Sequence, residues 1–225
     1  MAEHVHVHPP EELTEGPEEA HTRQERLFEL AAVFLMSIAT VAIAWSGYQA
    51  TAWAGVQAAK YAESNTGHER ATRIGTLGGQ ERLEDIEDFN RWLEATTKGD
   101  AVLGALYERR FRAEFRVAFA AWIAHDPLNA DGSPPSPLFV EEYQPAHERE
   151  AARLEHIAEF DYRAGVEATE NTDDYVFITV LLAAVLFFAG ISLRFRWSKM
   201  RMAVLGLATV FLAFGMFEVL RLPAH

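Results

Sequence analysis

The chain of 225 residues contains no cysteine, which excludes disulfides, iron–sulfur clusters and thiolate metal sites. It also lacks a basic excess: 20 Lys and Arg stand against 33 Asp and Glu, a formal net charge of −13. A polyanion needs the opposite footprint, so nucleic acid is not an expected partner. The phosphate-cradling patterns GxGxxG and GxxxxGK followed by Ser or Thr are missing, as is the nucleophile elbow GxSxG. The run Gly75-Thr76-Leu77-Gly78-Gly79-Gln80 has neither the lysine nor the strand context such a loop needs. No catalytic residue and no cofactor is therefore expected, and the chain reads as non-enzymatic.

The most informative absence is local. Leu30–Ala59 runs for thirty residues without Asp, Glu, Lys or Arg, Tyr175–Leu193 for nineteen and Met202–Phe217 for sixteen. A helix spanning a bilayer needs roughly 20 mainly apolar residues, so a wholly soluble protein is excluded despite a mean hydropathy of −0.07. Residues 1–29 carry two basic and eight acidic side chains, and residues 60–174 carry 13 and 24. The connector Arg194–Arg201 has four cations and no acid. A cleaved signal peptide would need a basic start and a short apolar core; here an acidic segment precedes a longer run, which favours an uncleaved anchor. Trp45, Tyr48 and Trp53 cluster at the far end of this first span, as an aromatic belt would.

Short basic loops stay on the cytoplasmic side. The Arg194–Arg201 connector is thus expected to be cytoplasmic and the long acidic segment extracytoplasmic, with the amino terminus inside. Arg23 and Arg26 against Lys60 alone support the same orientation. The expected organisation is an acidic, His-containing disordered tail (1–26), a first membrane helix and its extension (27–59) and an acidic extracytoplasmic helical domain (60–174). A second membrane helix (175–193), a basic cytoplasmic connector (194–201) and a third membrane helix (202–222) follow. The fold class is all-α: three transmembrane helices with a helical hairpin or small bundle between the first and second.

Within 60–174, apolar spacings of three and four at Ile74, Leu77, Ile86, Phe89 and Leu93 predict a helix. Gly67, Gly75, Gly78 and Gly79 weaken it, each by about 1 kcal/mol relative to alanine, so a long helix continuing from the first span, with a kink or break near these glycines, is expected. Gly99 suits a helix stop and Asp100 the next cap. A single amphipathic helix over about Ala101–His125 is predicted from Leu103, Leu106 or Tyr107, Phe111, Phe115, Phe119 or Ala118, and Trp122. The stretch from Asp126 to Phe139 is proline-rich and reads as a helix–helix connection in preference to a docking peptide. Another helix starts near Pro145 and Ala146, and Asn171–Asp174 either caps the second span or lies inside one continuous helix.

Few side chains suggest a site. His4, His6 and His8 alternate in the acidic tail, a weak metal-binding pattern without fixed geometry. His147, Glu148, Glu150, His156 and Glu159 share a helix, but neither Glu-x-x-His nor His-Glu-x-x-His occurs among them. Arg109, Arg112 and Arg116 form a stripe suited to carboxylate or phosphate, with ion pairing to Glu84, Glu87, Asp88 and Glu94 the preferred reading. Glu218 ends the third span, where an ionisable residue is a functional-site candidate; Arg221, three residues on, is its expected interfacial partner. Gly47, Thr51, Gly55 and Ala59 recur every fourth position, and small stripes let helices approach closely. The partners expected are the lipid bilayer and a second copy or another membrane protein.

The segment Ala44–Glu63, AWSGYQATAWAGVQAAKYAE, resembles a family of uncharacterised bacterial integral membrane proteins. Their first membrane helix passes into a similar Trp-Ser-x-Tyr-Gln and Trp-x-Gly-x-Gln run. The resemblance extends through Phe111–Leu128, Ser133–Pro137 and Val180–Ser192, most of the chain after the tail. Members often carry Glu before the second Gln, where this chain has Val56, so any role of that acid is absent here. The resemblance implies three membrane helices, an extracytoplasmic helical segment and a bacterial plasma-membrane location, and brings no activity with it. The expected role is an assembly or accessory subunit built on tight helix packing. The alternatives are a subunit of an oligomeric channel or transporter, and a membrane sensor binding an anion in its outer domain.

Overall fold

The computed structural model describes residues 23–128 and 132–225, with side chains from Arg26 onward. His4, His6 and His8 lie outside the described residues. Five α-helices follow one another: α1 (Arg23–Thr97), α2 (Ala101–Arg110), α3 (Ala113–Ile123), α4 (Ala146–Ser192) and α5 (Ser198–Arg221). A single 3₁₀ turn, Pro137–Phe139, lies between α3 and α4, and no strand occurs among the described residues. α1, α4 and α5 each contain a stretch long and apolar enough to cross a membrane.

No proline occurs between Pro17 and Pro127 or between Pro145 and Pro223. Nothing in either interval removes a helical amide or clashes with the preceding turn, and α1 and α4 each run through as one element. The break expected at Gly67, Gly75, Gly78 and Gly79 does not occur, because packing outweighs helix propensity there. A β-carbon at Gly67 would stand 2.8 Å from that of Ala158, and one at Gly78 would stand 3.1 Å from the Glu148 amide nitrogen. These glycines admit α4 to close contact with α1. Asn171–Asp174 likewise lies inside α4.

The chain forms two compact units. The first comprises the described residues up to Ala50 together with Asp173–His225. Its core interleaves Ala32, Leu35, Ala39 and Ala42 of α1 with Ile178, Leu182, Val185 and Ala189 of α4 and Leu205, Ala208 and Leu212 of α5. Large apolar side chains point away from this core: Phe34, Val41, Val180, Phe187, Val210 and Phe217 are all exposed. Small residues inside and large apolar residues outside is the arrangement of helices packed in lipid. Hydroxyls on these helices turn back onto their own backbone, as Ser37 does to Val33 and Thr209 to Leu205 at 2.8 Å each. Such bonds satisfy polar groups where water is absent.

The second unit is Thr51–Thr172. Gly99, with φ +77°, ends α1, and the Asp100 carboxylate accepts the Leu103 amide at 3.0 Å to start α2. An aromatic core follows, built from Phe89 and Trp92 of α1, Phe111, Phe115, Phe119 and Trp122, with Ala118 and Val140. Trp122 Nε1 donates to the Pro134 carbonyl at 2.6 Å, so part of the proline-rich connection is fastened to α3.

Candidate functional site

The helix expected over 101–125 is two helices. Phe111 (φ −52°, ψ 137°) and Arg112 (φ −55°, ψ 153°) are extended, and α3 begins anew after them. The interruption turns Phe111, 2% exposed, into the aromatic core and directs Arg112 at Asp85 of α1. Arg109, Arg112 and Arg116 therefore do not share one helix face, which corrects the expected stripe.

Arg112 makes the central contact of the second unit. Its Nε and Nη2 donate to the two oxygens of Asp85 at 3.0 and 2.7 Å, a bidentate pairing. The Tyr143 hydroxyl donates to the same carboxylate at 3.0 Å. Asp85 is only 2% exposed, so all three donors meet an acceptor withdrawn from water. Glu81 lies 3.0 Å and Glu114 3.7 Å from Arg112 Nη1, and His147 Nδ1 stands 2.9 Å from Glu81. The Asp85 hydrogen bonds raise the Arg112 pKa further above its ordinary value, outweighing the opposing effect of burial. Burial, followed by the Asp85 charge, raises that of Tyr143. The His147 contact and then the Arg112 charge hold Glu81 below its ordinary 4.5, against desolvation.

These partners differ from the acids expected for Arg112. Glu87 and Asp88 pair with Arg91, and Glu94 with Lys98, along α1 itself. Asp85, Glu81 and Tyr143 were missed. The available signal was an acid four residues before Phe89 and seven before Trp92, on the face that becomes core.

The node joins α1, α3 and the chain segment entering α4. Further pairs continue along α1 and α4: Lys60 with Asp161 at 3.0 Å, His68 with Glu155 at 3.1 Å, and Arg82 with Glu148 at 3.4 Å. Among the described residues, no group of three or more His, Asp or Glu is placed to hold a metal ion. The chemistry available at Asp85 is charge neutralisation and helix fastening.

Arg109 and Arg116 border a groove of about 590 Å³ between α2 and α3. Phe111, Phe119, Ala120 and Ile123 supply its apolar surface, and Glu108 completes the lining. Both arginines are exposed. One Nη of Arg116 donates to the Phe111 carbonyl at 2.9 Å, and Glu108 accepts the Trp92 indole N–H at 2.8 Å.

Most of the small-residue stripe is exposed. Thr51, Gly55 and Ala59 are exposed and Gly47 is half-buried. A β-carbon added at Gly47 or Gly55 would meet no atom within 4 Å. Close approach inside the protomer uses Gly67, Gly78 and Gly165 instead; a β-carbon at Gly165 would fall 2.8 Å from the Tyr61 ring. Glu218 stands 3.9 Å from Arg221, the partner its spacing suggests.

No protein family, curated protein or solved structure matches this chain.

Proposed function

We propose that the protein is a non-enzymatic membrane subunit that assembles with itself or with another membrane protein. The observation that carries this reading is the unpartnered apolar surface of α2. In this ten-residue helix only Gly104 is buried, while Val102 is 82% exposed and Leu103 and Leu106 are also exposed. A helix outside the apolar stretches with Val102 bare and Leu103 and Leu106 little more than one-third exposed is suited to a protein neighbour. The exposed Thr51, Gly55 and Ala59 add a second surface on which another helix could approach closely. In the accompanying topology the chain sits in a bacterial plasma membrane, with residues 60–174 outside and the basic connector in the cytoplasm. Proteolysis of sealed vesicles tests that orientation, and digestion of 60–174 from the cytoplasmic face alone would reverse it.

Native mass spectrometry of the full chain in mild detergent tests the assembly. A defined oligomer or hetero-complex is expected, reduced to a lone subunit by Gly55→Leu or by Leu106→Asp. A lone subunit in the unsubstituted protein, with no fixed partner, defeats the reading. A second reading, an anion-binding outer domain, draws on the groove that Arg109 and Arg116 border. Calorimetric titration with a small aryl carboxylate, repeated on Arg109→Gln, separates it from a purely structural role.

A further inference from the structure

The loop joining α4 to α5 carries Arg194, Arg196, Lys199 and Arg201, and no acidic residue occurs between Asp174 and Glu218. Among the described residues none of the four makes an ion pair, whereas seven of the thirteen Lys and Arg in residues 60–174 do. Arg201 is half-buried, with its guanidinium 5.9 Å above the Phe28 ring. Its Nε is buried and meets no acceptor among the described residues. An Arg N–H withdrawn from water with no acceptor costs stability, and it is the exposed Arg194, Arg196 and Lys199 beside it that present their charge to an external anion. α5 opens without a side-chain cap, so the first-turn amides supply further donors.

Apolar groups are interleaved with these charges. Trp197 is 77% exposed, and Leu193, Met200 and Met202 are exposed beside it. The adjoining helices are themselves long and apolar enough to span a membrane. The required ligand thus has an anionic oxygen group and a contiguous apolar body. We infer that the α4–α5 loop, together with Phe28, is a binding site for the headgroup of an anionic phospholipid. The phosphodiester accepts from Arg201 and its basic neighbours, while Trp197 and the methionines contact the glycerol and upper acyl region. Free phosphate shares the anionic chemistry and lacks the apolar body. The chain's own tail holds Glu3, Glu11, Glu12, Glu15, Glu18 and Glu19 and is the competing source of negative charge. Carboxylates on an otherwise polar tail leave the tryptophan and methionines unmatched, which favours lipid.

The test uses the full chain reconstituted with phosphatidylglycerol and phosphatidylcholine of identical acyl chains, with retained lipid read by native mass spectrometry. A basic residue near an anionic surface contributes about a fivefold preference. Arg194→Gln and Arg196→Gln, at exposed positions that leave the fold intact, should each lower the phosphatidylglycerol preference by about that factor. The variant neutralising all four cations should lose at least about a hundredfold, while Arg221→Gln, at the other end of α5, should leave the preference unchanged. Equal retention of the two lipids by the unsubstituted chain overturns the inference, as does a preference that survives both single substitutions. Displacement of the lipid by millimolar inorganic phosphate would assign the site to free anion instead. Deletion of residues 2–22 should leave the preference unchanged; a gain of about a hundredfold would make the tail the resident occupant and defeat the lipid assignment.

Discussion

Asp85→Asn is the sharpest perturbation of the second unit, because it retains side-chain size and removes only charge and one acceptor. Asp85 accepts three hydrogen bonds, two from Arg112 and one from Tyr143. Asparagine offers a single oxygen, and its NH₂ would face Arg112 Nε in one orientation and both Arg112 Nη2 and the Tyr143 hydroxyl in the other, donor against donor each time. Breaking one side of a buried ion pair typically costs 3–5 kcal/mol. The lower end applies here, since Arg112 keeps Glu81 at 3.0 Å and its side chain is 24% exposed. A loss of about 3 kcal/mol is expected, or a melting-point drop of about 6–12 °C for a chain of this length. Near-ultraviolet circular dichroism of the full protein in detergent is the assay, because Trp92 and Trp122 both sit in the adjoining aromatic cluster. Arg112→Met should be costly alone and much less so when combined with Asp85→Asn, since the double variant leaves no uncompensated charge. A single-variant loss below about 0.5 kcal/mol, or additive losses in the cycle, would refute the claim that this pair fastens the unit.

Three further outcomes follow from the same geometry. Glu81 has its folded pKa depressed below 4.5, so its contribution is fully present above that value and is lost as pH falls through the lower folded value. The near-ultraviolet transition temperature should thus fall on acidification below pH 4.5, and Glu81→Gln should flatten that part of the profile; an unchanged slope argues against it. Gly67→Ala should destabilise by about 1–3 kcal/mol through overpacking, whereas Gly79→Ala, where an added β-carbon meets nothing within 4 Å, should stabilise by up to about 1 kcal/mol. Denaturant titration reads both signs, and equal effects would mean that propensity rather than contact governs α1. Trp122→Phe removes the 2.6 Å bond to Pro134 and should raise amide hydrogen exchange around residues 133–138 with little change elsewhere.

The three apolar stretches were legible because charge is excluded from lipid-length segments for a reason that acts residue by residue. The turn at Gly99-Asp100 was legible for a similar reason, since a positive φ and a side-chain cap are local requirements. The split between α2 and α3 was not. Phe111 and Arg112 are both compatible with a helix interior, and what extends them is tertiary: an aromatic pocket for one and the buried Asp85 for the other. The glycines at 67 and 78 misled in the opposite sense. Read locally they weaken α1, yet their missing side chains are what admit α4, and that packing holds the helix together. Asp85 escaped notice because it shares a face with Phe89 and Trp92, and a face so apolar does not advertise a carboxylate.

The same distinction separates the two populations of positive charge. In the unit Thr51–Thr172, seven cationic side chains have carboxylate partners, and several of those pairs are fixed by packing, with Asp85 and Arg112 the most enclosed. Removing the charge of Asp85 or Arg112 strands a partner withdrawn from water, so the consequence there is structural. The four cations of the α4–α5 loop have no internal partner among the described residues, in a stretch from 175 to 217 that contains no acid at all. Removing one of those strands nothing within the protein, and the consequence must fall on whatever the chain binds. Stability should therefore follow substitutions at Asp85 and Glu81 while lipid retention ignores them, and lipid retention should follow Arg194 and Arg196 while stability ignores those. A single experiment that measured both quantities on the four variants would separate internal electrostatics from recognition. Crossed effects would mean that the paired and unpaired charges belong to one network.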